Sequence, residues 1–252
     1  MQIDRSNTEE TDHECTGLCH LHPAGFIAWH PRLAVARAGW NDTERVATLR
    51  TATALFILWY ALALVLSLAG VFRGAADRLP TIEFGIFVPI IIGSVLLWQS
   101  ATVRRLLEAV PQSWLVGFQV YRAVGVIFLL LLGDGLLPSV FALPAGGGDV
   151  AVGLLAPVVA YAYARGAAGR DALVRAWNLL GLLDLVVAVT LGFLSSPSPF
   201  QMLAFDTPNE LITAFPLVMV PAFAVPLSVI LHLASLVKLA RNSPRTFAAV
   251  GV

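Results

Sequence analysis

Apolar positions in this chain do not alternate with polar ones. They run on for twenty residues at a time, broken by Gly, Pro and Arg. Six runs are long enough, at 1.5 Å per residue, to cross about 30 Å of hydrocarbon. They lie at about 51–71, 82–103, 114–132, 150–164, 172–194 and 212–239, the fourth being short and rich in Gly and Ala. Backbone groups in lipid must find their partners within the segment, so each run is expected to be a helix. Strands of a membrane barrel would instead alternate over about ten residues. The pattern predicts an all-α fold, a polytopic bundle of six transmembrane helices.

Composition strengthens this reading. The chain is 58% hydrophobic and 13% charged, with a mean hydropathy of +0.79. A soluble domain this apolar could not cover its surface with polar groups, so the excess must face lipid. A soluble enzyme, a disordered chain and a disulfide-rich secreted scaffold are excluded. Lys+Arg and Asp+Glu number 16 each, so no basic excess points to nucleic acid. The first forty residues hold no apolar h-region, so no secretory signal peptide is expected.

Charge placement gives the orientation. Arg45 and Arg50 precede the first run, Arg104 and Arg105 end the second, Arg165, Arg170 and Arg175 separate the fourth and fifth, and Lys238, Arg241 and Arg245 close the sixth. With six spans these groups share one side, and the positive-inside rule puts both termini in the cytoplasm. The other side holds Arg73, Asp77, Arg78, Glu83, Asp149, Asp206 and Glu210. Residues 1–41 then form a cytoplasmic amino-terminal tail, 42–241 the transmembrane domain and 242–252 a cytoplasmic carboxy-terminal tail of a multi-pass protein of the bacterial inner (plasma) membrane. Trp98, Trp114 and Trp177 fall toward span ends, where aromatic belts belong.

Two linkers stand out. Residues 135–149, GLLPSVFALPAGGGD, are too apolar for a solvated loop; a re-entrant segment and a lipid-skimming turn both explain them. Asp134 and Asp149 flank this linker and are expected at the outer interface, where capping of helix ends, solvation and lining of an entrance are all open to them. Residues 195–210 form a Pro/Ser-rich external loop whose Thr207 or Asn209 is placed to cap the sixth helix. That helix contains Pro216, Pro221 and Pro226 and is expected to be kinked.

Ionisable residues inside a span cost about 2.5 to 3.5 kcal/mol each on insertion scales. Arg122, Asp184 and His232 fall at similar depth in the third, fifth and sixth runs. Arg122 should approach Asp184 directly or through one water, with Gln119, Asn178 or His232 completing the shell. One reading is a buried ion pair that fixes helix packing. The other is a polar cavity for a proton, an ion or an anionic ligand. No second His lies in any run, so paired haem ligation is not expected.

The tail sequence HECTGLCHLH brings His13, Cys15, Cys19, His20 and His22 within ten residues. Thiolate and imidazole together suit zinc in a reducing cytoplasm. A plain solvated tail and a redox thiol pair remain open beside it. Asn41 and Glu44 have the spacing of a capping box that starts the first helix early, and residues 29–40 suit a short interfacial helix.

WNLLGLLDLVVAVTLGFLSSPSPFQMLAFDTPNELITAFPLVMVPAFAVPLSVILHLASL and YRAVGVIFLLLLGDGLLPSVFALPAGGGD resemble parts of a group of small bacterial integral membrane proteins known only as hypothetical. The resemblance covers about 119–239 and implies a six-helix membrane fold, with no activity and no catalytic residue to carry across. Three functions stay in view. The first is a small-solute or ion transporter, or a ligand-binding membrane protein, built on Arg122, Asp184 and His232. The second is a non-catalytic accessory or anchoring subunit that meets other membrane subunits through a metal-binding tail. A membrane enzyme is the least supported, because no nucleophile–base pair, phosphate loop or dinucleotide fingerprint is present.

Overall fold

A computed structural model describes residues 41–242, and all regular structure among them is helical. The amino-terminal His/Cys cluster, the stretch 29–40 and the carboxy-terminal tail lie outside the described residues. Six helices among the described residues are long and apolar enough to cross a membrane: Asp42–Leu68, Ile82–Gln99, Gln112–Gly133, Ser139–Ala164, Arg170–Ser195 and Val220–Arg241.

The first span begins where Asn41 caps it. Glu44 N–H donates to Asn41 Oδ1 at 2.8 Å, and the Glu44 carboxylate accepts from Asn41 N–H at 3.3 Å. This capping box extends the helix nine residues before the apolar run expected from 51 onward. Phe56, Trp59 and Tyr60 of the span ring Phe223, with centroids 5.5, 4.7 and 5.1 Å away. The second span stops at Gln99. Ser100 takes an extended conformation and its hydroxyl accepts from Val103 N–H, starting a separate helix, Ala101–Ala109. The carbonyls at the end of that short helix have no partners of their own. Lys238 supplies them, donating to Leu107 O at 2.7 Å, Glu108 O at 2.9 Å and Val110 O. A cation at a helix C-terminus also meets the negative end of the dipole. Lys238 is therefore a buried clamp rather than a solvated flanking charge.

The largest correction concerns residues 135–149. Only 135–138 form a turn; from Ser139 onward the segment belongs to one continuous helix, Ser139–Ala164, that includes Pro144 and the triple glycine, so it is not re-entrant. At 1.5 Å per residue it is about 39 Å long, enough to cross the hydrocarbon. Lipid removes the usual penalty on such residues, since an unwound backbone there would have no water to bond. Asp149 consequently moves from the expected outer interface to the middle of a span.

The sixth span also differs. It begins at Val220 rather than 212, and its first turn, Val220–Ala224, is π-helical. Pro216, Pro221 and Pro226 disturb this stretch, and two of its carbonyls receive from neighbours: Tyr121 Oη–H donates to Ala224 O and Gln119 Nε2 to Ser228 O, both at 3.1 Å. Asn209 does not cap this helix. It is fully buried and pins the external loop to the end of the fifth span, its N–H donating to Ser195 O at 2.9 Å and its Nδ2 to Ser195 Oγ at 3.3 Å.

The third, fourth, fifth and sixth spans pack closely around one another, and the second lies along the sixth. Two apolar layers fill this bundle. One joins Val116, Val152, Ala156, Val174, Trp177 and Leu239 toward the arginine-rich ends. The other joins Phe128, Leu137, Phe141, Ala145 and Ile212 toward the opposite ends. In the third span Arg122 falls between Val116 and Phe128. In the fourth, Asp149 falls between Ala145 and Val152. A charged layer is thus held between two apolar ones.

Candidate functional site

Arg122 sits about 15 Å from either end of its span, Gln112–Gly133. Its side chain is 2% exposed. The backbone around it tightens into 3-10 geometry over Phe118–Gly125, a departure that often marks a functional position. A guanidinium carries five N–H donors and keeps its charge, so at this burial each donor needs an acceptor.

Four acceptors meet it. Nε donates to Asp149 Oδ1 at 2.8 Å and Nη2 reaches the same oxygen at 2.7 Å. Nη2 also pairs with Asp184 Oδ2. Nη1 donates to His232 Nε2 at 3.2 Å and more weakly to Gly181 O at 3.4 Å. The fourth, fifth and sixth spans each send one side chain to the arginine of the third.

A neutral chain continues from the histidine. Asn178 Nδ2 donates to Val174 O and Ser235 Oγ, both at 2.8 Å, so its Oδ1 faces His232 Nδ1 at 2.9 Å. Nδ1 must then carry the proton, and Nε2 keeps the lone pair that accepts from Arg122. This tautomer is inferred from the hydrogen bonds. Gln112 Nε2 donates to Ser235 Oγ at 2.6 Å, closing the chain toward the arginine-rich ends. Trp177 lies over His232, with ring centroids 5.0 Å apart, and donates from Nε1 to Val152 O at 3.3 Å. It is 4% exposed, so it belongs to this core and not to an aromatic belt.

Of the residues expected from sequence, Arg122, Asp184 and His232 are brought into direct contact. Asn178 joins through His232. Gln119 is fully buried nearby but turns to Ser228 O, and its Oε1 accepts no hydrogen bond from the protein. Asp149 was missing from the sequence expectation. Its detectable signal was the apolar character of 135–149, which already disagreed with a loop. Close packing makes the geometry possible: a Cβ on Gly153 would stand 2.4 Å from Ala123 N, so the third and fourth backbones approach as only glycine allows.

A cavity of about 320 Å³ descends from the loops at the ends opposite the arginine-rich ones and reaches Asp149. Phe72, Phe87, Phe128, Phe141 and Phe193 line much of it, and Glu83 is the second carboxylate on its wall. Asp149 and Asp184 are each 14% exposed, against 2% for the arginine they share. Among the described residues, no group of three His, Cys, Asp or Glu side chains is arranged to hold a metal ion. His13, Cys15, Cys19, His20 and His22, the zinc candidates, lie outside those residues.

Fold and site together define an all-helical, multi-pass protein with a charged layer buried midway across its spans. The chain belongs to the family described as a domain of unknown function, DUF8737, which matches residues 79–240. That match includes the second to sixth spans and every residue of the charged layer, and leaves out the first span. No curated protein and no solved structure shows significant similarity to the chain.

Proposed function

We propose that this protein is a small-solute or ion transporter, or a ligand-binding membrane protein, of the plasma membrane, and that Arg122, Asp149, Asp184 and His232 are its working centre. One observation carries this reading: two carboxylates share one guanidinium in a largely buried layer. With both carboxylates ionised the trio sums to −1. A pair that served packing alone would need one carboxylate, since an uncompensated charge in this setting is costly. The second carboxylate calls for a proton or another cation, and Asp149 faces a cavity through which either can come and go.

With the arginine-rich ends in the cytoplasm, as the positive-inside rule directs, the cavity opens outward. Met202, in the external loop, is 70% exposed. A cysteine placed there, with Cys15 and Cys19 replaced by Ser, should react with an impermeant thiol reagent added to intact cells; labelling only after lysis would reverse the orientation.

The centre itself is tested by reconstituting the protein in liposomes on a capacitive membrane sensor. A step in proton concentration should give a transient current above that of protein-free liposomes. Asp149→Asn and Asp184→Asn each leave a balanced pair with no place for an extra proton, and each should abolish the current while the protein stays folded. A wild-type protein that moves no charge, or an unchanged current in Asp149→Asn, overturns the proposal and favours the accessory-subunit reading.

A further inference from the structure

The cavity above Asp149 carries both aromatic rings and acidic groups on its wall. Five phenylalanines contribute to its wall, and among the described residues the only ionisable side chains on it are the carboxylates of Glu83 and Asp149. No described Lys, Arg or His lines it. Glu83 stands in the first turn of the second span, at the cavity's outer half, and its Oε2 is buried without a hydrogen-bond partner from the protein. Asp149 stands at the inner end, where Arg122 satisfies Oδ1.

An apolar wall without carboxylates would take any lipophilic molecule. Two carboxylates in such a wall, one of them with a buried oxygen that accepts nothing, disfavour an anion and leave a neutral ligand without compensation for them. Aromatic faces attract a cation through the ring quadrupole, most strongly where water is excluded. The volume lies at the lower end of the range of small-molecule sites. We infer that this cavity is a binding site for a small lipophilic organic cation, an aryl or alkyl ammonium, whose charged nitrogen lies between Glu83 and Asp149 and whose apolar part rests on Phe72, Phe87, Phe128 and Phe193. The inference rests on the transporter or ligand-binding reading and names its ligand class.

The geometry also suggests how such a cation would use the charged layer. A cation near Asp149 supplies the positive charge that two carboxylates and one guanidinium lack. A proton on either aspartate would supply the same charge, so cation and proton should compete for the layer.

Benzyltrimethylammonium is a suitable probe, because its charge is permanent and its ring is small. Phenylacetate is the anion of similar shape. Binding to the purified full-length protein in detergent is measured by equilibrium dialysis of labelled probe. The cation should bind saturably and phenylacetate should not. Glu83→Gln, which keeps shape and removes charge outside the Arg122 cluster, should weaken cation binding at least tenfold. Phe193→Leu, which removes one aromatic face and keeps an apolar wall, should weaken it severalfold. Binding should also weaken as proton concentration rises. Absence of saturable cation binding overturns the inference, as does equal uptake of phenylacetate, or an affinity unchanged in Glu83→Gln. The proton-step current separates this failure from failure of the broader reading: a current that persists without probe binding leaves the charged layer a proton site and removes only the organic cation.

Discussion

Arg122→Met is expected to destabilise the folded protein by about 3 to 5 kcal/mol, and to do so more severely than removal of all three charges. The substitution keeps most of the side chain's apolar length. It strands Asp149 and Asp184, two carboxylates that met on one guanidinium, in a layer closed by Val116 and Val152 on one side and Phe128 and Phe141 on the other. The triple variant Arg122→Met, Asp149→Asn, Asp184→Asn contains no charge to strand and should recover much of the loss. Asp149→Asn alone should cost only about 1 kcal/mol, since it leaves the Arg122–Asp184 pair balanced and exchanges a charge-assisted bond for a neutral one. The order of unfolding midpoints in mixed micelles is the readout. If Arg122→Met were no worse than the triple variant, the charges would not be mutually compensating and the buried layer would lose its physical basis.

The parts of this centre legible in the sequence were those that break an otherwise apolar run. Arg122, Asp184 and His232 interrupt hydrophobic segments, and a charge in a span must find a partner. Helical spacing places Ser228, His232 and Ser235 on one stripe, and all three are buried. Asp149 was not legible because its surroundings imitate a loop. Pro144 and the glycines at 146–148 are turn residues in water, where an open backbone bonds to solvent. In lipid that alternative disappears, and the same residues serve helix contact. A Cβ on Gly148 would stand 1.6 Å from Asp184 Oδ1, so the triple glycine is part of how the fourth span reaches the fifth.

The start of the sixth span misled for a related reason. The run 212–239 is apolar without a break from 214 to 227, and hydropathy alone places no boundary there. The Pro216, Pro221 and Pro226 series moves the regular helix to begin after the π-helical turn at Val220–Ala224. That the prolines would disturb the start of this helix was foreseeable, and the π-helical turn is the form the disturbance takes. Its neighbours, Tyr121 and Gln119, were not foreseeable, because nothing in a single sequence says which helix faces a freed carbonyl.

Gly181→Ala is expected to be among the most damaging single-methyl additions in this protein, and it tests the centre without touching a charge. The added Cβ would stand 2.4 Å from His232 Cε1, 2.5 Å from its Nε2 and 3.3 Å from Arg122 Nη1. The imidazole has nowhere to go. It is fully buried, held at Nδ1 by Asn178 Oδ1 at 2.9 Å, and covered by Trp177. Either the ring leaves its place, breaking its bonds to Arg122 and Asn178, or the fifth and sixth spans move apart. Overpacking alone costs about 1 to 3 kcal/mol, and loss of a hydrogen bond to the guanidinium adds about 1.5 to 3 kcal/mol. Gly147→Ala is the matched control: its Cβ would meet nothing within 4 Å, and alanine in a helix is favoured over glycine by roughly 0.5 to 1 kcal/mol. The two substitutions should therefore shift the unfolding midpoint in opposite directions. His232→Ala removes the obstacle, so the double variant Gly181→Ala, His232→Ala should be less destabilised than the sum of the singles, with a coupling of about 1 kcal/mol or more. Additive losses would mean that Gly181 does not pack against His232, and the contact between the fifth and sixth spans would have to be redrawn.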